Sequence, residues 1–292
     1  MSPLHASNKA KVAEQFSKYA TQYNDIAMVQ QQIAQYSLSE MAKMGTLPQS
    51  HMWLDLGCGT GNNVTALAQH TRTPVIGLDL AAGMLTTAQR HNVTQPFVQA
   101  DFESLPLHNS SIDVVFSSMA LQWSSSPNVV AQEIERILAP GGHAFLNVMV
   151  SPSFMQLRKA FSAIGHAESV NDFAEPALWT NAFSEQVLVT AKSKTFTAEF
   201  TDFKTMMQSI KRVGAGVVQA NHDLAKRERH NSTLLKNTLH QSTLYQSTSK
   251  EKSHPQAMTK SQYQTLVAFF SGCFELNYHV LFLHLHKPIQ AD

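Results

Sequence analysis

The most informative part of this 292-residue sequence is residues 52–61, which read MWLDLGCGTG. A short apolar run ends here in a turn that places glycine at every second position, at Gly57, Gly59 and Gly61. An apolar run of this length is typical of a buried parallel strand. Glycines at its end permit a sharp turn and let a ligand approach the backbone closely. We therefore expect a strand, a ligand-binding turn and a helix whose first N–H groups attract negative charge.

The spacing of the glycines distinguishes two kinds of nucleotide-binding turn. A dinucleotide fingerprint is Gly-x-Gly-x-x-Gly, which would require a third glycine at position 62. Position 62 is Asn62, so the pattern is Gly-x-Gly-x-Gly. We interpret the turn as suited to a carboxylate and a sugar, with Asp55 ending the strand where it could accept a hydrogen bond from an ammonium group. The alternative is a turn that serves strand–helix packing alone.

Strand-like and helix-like segments alternate along the first half of the chain. Repeated strand–helix units of this length predict an α/β fold, with a parallel sheet and helices on both of its faces. The second half is less regular, and Thr259 and Gln262 have the spacing of a capping box at the start of a helix. The predicted strands are residues 52–56, 74–79, 97–100, 112–116, 144–148, 187–200 and 276–286.

Two further acidic residues follow predicted strands. Asp79 ends the second strand, and Asp101 comes directly after the third. In an open α/β sheet, the carboxyl ends of the strands border one crevice in which ligands bind. Asp79 is placed there to accept both hydroxyls of a ribose, Asp101 could accept from an adenine amino group, and Met84 could pack on the base. The alternatives are a helix cap for Asp79, a turn for Asp101 and plain core for Met84.

This pattern resembles the class I S-adenosylmethionine-dependent methyltransferases over residues 53–148. The resemblance implies a doubly wound, Rossmann-like sheet of seven mostly parallel strands, the last of which is antiparallel. It also implies an N-terminal lid helix, for which residues 16–23 are the best match, and a helical cap inserted before the last strand. The residues implied to bind S-adenosylmethionine are Tyr19, Tyr23, Asp55, Gly57, Gly59, Gly61, Asp79, Met84, Asp101 and Phe102.

The segments that flank this region narrow the resemblance to one family of methyltransferases. Residues 209–215 (SIKRVGA) and 276–282 (LNYHVLF) are similar to segments of the malonyl-[acyl-carrier protein] O-methyltransferase family of biotin biosynthesis. That family implies methylation of the free carboxylate of a malonyl group, which an acyl carrier protein or coenzyme A bears as a thioester. The polar stretch of about 221–258 is longer than the family pattern, and the basic excess over residues 226–260 could steer an acidic carrier protein.

Such a reaction needs no general base, because a carboxyl group with an ordinary pKa of about 4 is ionised at neutral pH. We therefore expect no catalytic acid or base, and rate enhancement by alignment of the reacting groups. The substrate-pocket candidates are Gln122 and Trp123, just after the fourth strand. Lys211 and Arg212, on a predicted cap helix, are candidates for holding the carboxylate, with a solvated surface as their alternative.

The composition of the chain argues against several other classes of protein. The formal net charge of +1 argues against a dedicated nucleic-acid binder. No run approaches the roughly 20 apolar residues that span a bilayer. Two cysteines exclude a disulfide scaffold, and the histidines lack the spacing of a zinc site, so we expect no metal.

The predicted organisation is a lid over residues 1–50, a cofactor-binding core over 51–150 and a substrate cap over 151–286. We expect a monomeric cytoplasmic enzyme that binds neither nucleic acid nor membrane. Two alternatives to the malonyl-thioester enzyme stay open. One is a carboxyl methyltransferase of a free polyacid of the trans-aconitate type, and the other is a non-catalytic cofactor-binding assembly protein.

Overall fold

A computed structural model describes residues 3–45, 47, 52–166, 169–212 and 258–289 of the chain. The predicted polar stretch lies outside these residues, apart from Met258 at its end. The described helices are α1 (Pro3–Tyr19), α2 (Tyr23–Ile26), α3 (Met28–Ala42), α4 (Asn62–Leu67), α5 (Ala82–His91), α6 (Pro127–Ile137), α7 (Met155–Ala163), α8 (Pro176–Thr180), α9 (Phe203–Arg212) and α10 (Lys260–Phe269). The strands are β1 (Trp53–Leu56), β2 (Val75–Asp79), β3 (Phe97–Gln99), β4 (Ile112–Ser118), β5 (Leu138–Met149), β6 (Leu188–Phe200) and β7 (Phe274–His286).

The strands form one sheet in the order β3-β2-β1-β4-β5-β7-β6. Strands β1 to β5 pair in parallel, and β7 is antiparallel to both of its neighbours. This confirms the predicted seven-stranded, mostly parallel sheet. The chain runs outward from β1 in one direction to β3 and then returns to β4 on the other side. The strand order therefore reverses between β1 and β4, which is where open α/β sheets bind ligands.

The central strand β1 is buried on both faces, as its apolar sequence predicts. Leu54 and Leu56 pack with Ile134 of α6 in one apolar cluster. Trp53 points to the opposite face, where it joins a second cluster with Leu67 of α4. Helices therefore cover the sheet on both sides, and the carboxyl end of β1 is held rigidly at the switch point.

Strand β5 is longer than the sequence predicted. We expected it over residues 144–148, after Pro140 and the following glycines had stopped the preceding helix. That helix does end at Ile137, but the chain enters the strand directly at Leu138, which is paired with Ile112 of β4. Gly141 adopts a φ of +80° there, so the glycines bend the start of the strand and do not form a separate loop.

The cap elements lie around the last two strands. Helix α9 follows β6, and α10 precedes β7, with the chain between them outside the described residues. The predicted capping box is confirmed at α10, where Thr259 and Gln262 exchange hydrogen bonds. No helix in the described ranges has both the length and the apolar composition needed to cross a bilayer.

Candidate active site

The glycine turn after β1 has backbone angles that would be strained for any residue with a Cβ atom. Gly57, Gly59 and Gly61 have φ values of +76°, +53° and +82°. The N–H of Gly57 donates to the carbonyl of Leu78 on β2 at 2.7 Å. A Cβ atom at Gly57 would lie 2.3 Å from Cβ of Ala120, whereas one at Gly59 would meet open space. The turn is therefore packed tightly on one side and open on the side of Gly59.

Asp79 at the end of β2 accepts hydrogen bonds from the backbone of this turn and of its own loop. The N–H of Gly59 donates to Asp79 Oδ2 at 2.9 Å, and the N–H of Ala81 donates to Oδ1 at 2.8 Å. Burial raises the pKa of Asp79, while these backbone donors act in the opposite direction. A carboxylate has about four acceptor positions, so each oxygen retains capacity for a further hydrogen bond.

Asp55 lies beneath the turn and is fully buried. No donor from the described residues reaches either of its carboxylate oxygens. Burial, and then the charge of Asp79, raise the pKa of Asp55 well above its usual range. A buried carboxylate without donors is costly, so this position favours a ligand that carries positive charge.

A cavity opens along this edge of the sheet. It is lined by the glycine turn and Asp79, and also by Met84, Asp101 and Phe102. It brings together eight of the residues predicted to form the site. These are Tyr23, Gly57, Gly59, Asp79, Met84, Asp101, Phe102 and Trp123.

Helix α1 covers the cavity and is attached at two points. Lys9 Nζ lies 2.6 Å from Asp101 Oδ2 and 2.6 Å from Glu103 Oε2. Further along the helix, Ser17 Oγ accepts a hydrogen bond from the N–H of Gly83 at 3.1 Å. The predicted N-terminal helix therefore lies along the cavity, and Lys9 lines it although the sequence did not reveal this residue.

Asn24 of α2 joins the lid to the glycine turn. Its Oδ1 accepts from Thr60 Oγ1 at 2.6 Å and from Asn62 Nδ2 at 2.9 Å. Its backbone carbonyl accepts from Gln31 Nε2 at 2.6 Å. Sequence reasoning also missed this residue, because nothing in the local pattern distinguishes it from a surface asparagine.

The structure does not bring every predicted site residue to the cavity, and the buried Asp55, beneath the glycine turn, lies outside its lining. Tyr19 is half-buried but lies outside the lining, because the short 3-10 turn over residues 20–22 separates it from Tyr23. Gly61 faces α5 instead of the cavity. Lys211 is exposed on α9, and the side chain of Arg212 lies outside the described part of the structure. The structure therefore does not bring Lys211 to either cavity, and the prediction for the Arg212 side chain falls outside the described residues.

A smaller cavity adjoins the first. Both cavities are lined by Phe16, Tyr23, Gln30, Met119 and Trp123. The smaller one is completed by Gln122, Met149, Phe154, Phe173 and Tyr278, so none of the described residues that line it is charged. Burial raises the pKa of the Tyr23 and Tyr278 hydroxyl groups, which therefore stay protonated and able to donate.

The described ranges contain no group of three or more His, Cys, Asp or Glu side chains arranged to hold a metal ion.

Comparison with known proteins identifies the family. Residues 54–146 match the family model described as a methyltransferase domain. A malonyl-[acyl-carrier protein] O-methyltransferase from Erwinia billingiae is 30% identical over 235 residues, which cover 79% of this chain and 90% of that protein. The chain belongs to the class I S-adenosylmethionine-dependent methyltransferases. It is an O-methyltransferase by this relationship, and S-adenosylmethionine is its cofactor.

Two further matches agree with this family. A malonyl-[acyl-carrier protein] O-methyltransferase from Yersinia pestis is 33% identical over 174 residues, which cover 59% of this methyltransferase and 62% of that relative. The solved structure of YcgJ from Bacillus subtilis superposes with a TM-score of 0.55 at 18% identity and covers 87% of this chain and 99% of that one. At that identity the structural match shows the shared fold alone.

Proposed function

We propose that the chain methylates the free carboxylate of a malonyl thioester borne by an acyl carrier protein, giving the methyl ester at an early step of biotin biosynthesis. The observation that carries the proposal is the similarity to relatives named for this activity, one of them over 90% of its length. The uncharged smaller cavity beside the cofactor cavity supports it.

The larger cavity suits S-adenosylmethionine, which supplies a methyl group already activated on a sulfonium. We propose that the spare acceptor capacity of Asp79 holds both ribose hydroxyls. Met84 and Phe102 would contact the base, and Asp101 would accept from its amino group. The open side of Gly59 leaves room for a carboxylate against the backbone, and the buried Asp55 would favour the ammonium group once it is ionised.

We propose that the carboxylate receiving the methyl group lies where the two cavities meet, among the residues that line both of them. This group is ionised at neutral pH, so no side chain has to remove a proton. Uncharged walls leave the oxygen more nucleophilic than a tight ion pair would. Phe16 and Trp123, packed edge to face at 5.7 Å, form one wall and limit access of water. Alignment of the reacting atoms could supply up to roughly 7–11 kcal/mol of the barrier reduction.

A free polyacid fits this site less well. Among the described residues that line the two cavities, Lys9 is the only lysine or arginine, and it is already paired with Asp101 and Glu103. A trianion would lose much of its hydration without gaining a cation in exchange, which is costly. A substrate with a single carboxylate avoids most of this cost.

The proposal is tested by side-by-side turnover with labelled S-adenosylmethionine. Malonyl carrier protein, malonyl-coenzyme A and trans-aconitate are compared, with acetyl carrier protein as the matched control without a free carboxylate. We expect mass analysis to show one added methyl group on the malonyl thioesters and none on the acetyl control. Cofactor binding by calorimetry without transfer to any malonyl thioester would instead support the assembly-protein alternative.

Cofactor affinity is expected to fall as the pH falls. Burial and the charge of Asp79 raise the pKa of Asp55 in the free protein, whereas a bound ammonium group would lower it. Below the raised pKa of the free protein, binding must therefore displace a proton from Asp55. Calorimetry in buffers of different ionisation enthalpy should detect this proton release.

The matched variant for this experiment is Asp55→Asn, which should release fewer protons and bind more weakly. An affinity for S-adenosylmethionine that is unchanged from mildly acidic to mildly alkaline pH in the wild type would contradict the prediction.

A further inference from the structure

The smaller cavity contains an acceptor without a donor. Gln122 lies on the 3-10 turn Leu121–Trp123 and lines this cavity. Its Oε1 is buried, and no donor from the described part of the chain reaches it. A buried polar atom that lacks its hydrogen bond costs free energy and calls for an explanation.

The Gln122 side chain is held so that it presents this oxygen. Its Nε2 donates to the carbonyl oxygen of Met119 at 2.7 Å. Turning the amide over would bring Oε1 against that carbonyl, and two acceptors would then face each other. The amide is therefore fixed with nitrogen committed to the backbone and oxygen left available to a ligand.

The position of Gln122 is significant because it lines the smaller cavity near the place where the two cavities meet. Met119, one turn before it, and Trp123, directly after it in the chain, line both of them. An acceptor substrate that presents its carboxylate to the cofactor cavity would therefore pass close to Gln122. An N–H or O–H donor on that substrate would supply the partner that Gln122 Oε1 lacks.

The malonyl group itself offers no such donor, since its carboxylate is ionised and its thioester carbonyl only accepts. The arm beyond the sulfur, in acyl carrier protein and in coenzyme A alike, has amide N–H groups. Resting on the proposed function, we propose that Gln122 Oε1 accepts a hydrogen bond from the amide N–H of the thioester arm. Gln122 is then a specificity-determining residue that recognises the arm and disfavours a carboxylate at the same place.

A pair of small substrates isolates this hydrogen bond. One is malonyl S-(2-acetamidoethyl) thioester, which retains the amide, and the other is malonyl S-(2-acetoxyethyl) thioester, in which oxygen replaces the N–H. We expect the wild type to prefer the amide by about 10-fold in kcat/KM, the size of one unsatisfied buried acceptor. Methionine has a similar length and no oxygen, so in Gln122→Met the ratio of kcat/KM for the amide to kcat/KM for the ester should fall close to one.

The ratio within each protein cancels any general loss of activity in the variant. Where turnover is too slow to measure, inhibition constants of both thioesters against malonyl carrier protein give the same ratio.

Equal use of the amide and the ester by the wild type would overturn the inference. So would a preference that persists unchanged in Gln122→Met, because another group would then read the amide. Failure of the proposed function is distinguishable, since neither thioester nor malonyl carrier protein would then receive a methyl group.

Discussion

Replacing Gly57 with alanine is expected to lower the free energy of unfolding by about 2–5 kcal/mol and to abolish cofactor binding. Two effects add. A residue with a Cβ pays roughly 1–2 kcal/mol at the positive φ of +76°. The new methyl group would also lie 2.3 Å from Cβ of Ala120, so the turn or the segment after β4 must move, at a cost of about 1–3 kcal/mol.

Two further variants separate these effects. Gly45→Ala has a similar φ of +82° and open space around the new methyl group, so it measures the backbone cost alone. Ala120→Gly, combined with Gly57→Ala, removes the close contact and should restore part of the stability. Denaturant titrations of the variants provide the comparison. Equal losses in Gly57→Ala and Gly45→Ala would show that the contact with Ala120 is not limiting.

Asp79→Ala is expected to weaken the binding of S-adenosylmethionine by about 100-fold or more. Hydrogen bonds to a charged group contribute about 1.5–3 kcal/mol each, and loss of two to the ribose accounts for this factor. The variant also removes the acceptor for the Gly59 N–H, which lies 2.9 Å from Asp79 Oδ2 and orders the turn. Calorimetric titration, with a thermal melt of the free protein, measures both consequences.

Asp79→Asn is the graded variant for this experiment, since it keeps one acceptor oxygen at the same size and should bind with intermediate affinity. Asp172→Ala is the control, because this carboxylate is mostly exposed and pairs with Arg158 away from the cavity. A change of less than about threefold in Asp79→Ala would contradict the assignment of the ribose to this residue.

The sequence sufficed for the sheet and for much of the larger cavity because the relevant signals are local. A buried strand followed by glycines places the turn, and an acid at the end of the next strand must reach the same edge of a parallel sheet. The structure brings Asp79 and Asp101 to one cavity on this basis. The smaller cavity was only half predicted, since Gln122 and Trp123 were expected there but Tyr278 was not.

The remaining features depend on contacts that local patterns do not encode. Lys9 pairs with Asp101, 92 residues away, and only the packing of α1 makes them neighbours. Tyr19 and Tyr23 were both predicted to bind the cofactor, but the intervening 3-10 turn changes the helical phase, and of the two only Tyr23 lines the cavity. The His143 ring stacks on the His286 ring with centroids 4.6 Å apart, a contact set by the antiparallel register of β5 and β7.

The attachment of α1 has a consequence for the order of events in each catalytic cycle. Lys9, Val12, Ala13 and Phe16 of this helix all line the larger cavity. A nucleoside bound in this cavity would lie against α1, so we expect its exchange to require the contacts of Lys9 and Ser17 to break. Such an opening of α1 would be a step separate from the chemistry. If that opening is slow, a rapid-mixing experiment would show one fast round of product formation per protein molecule, followed by a slower steady rate.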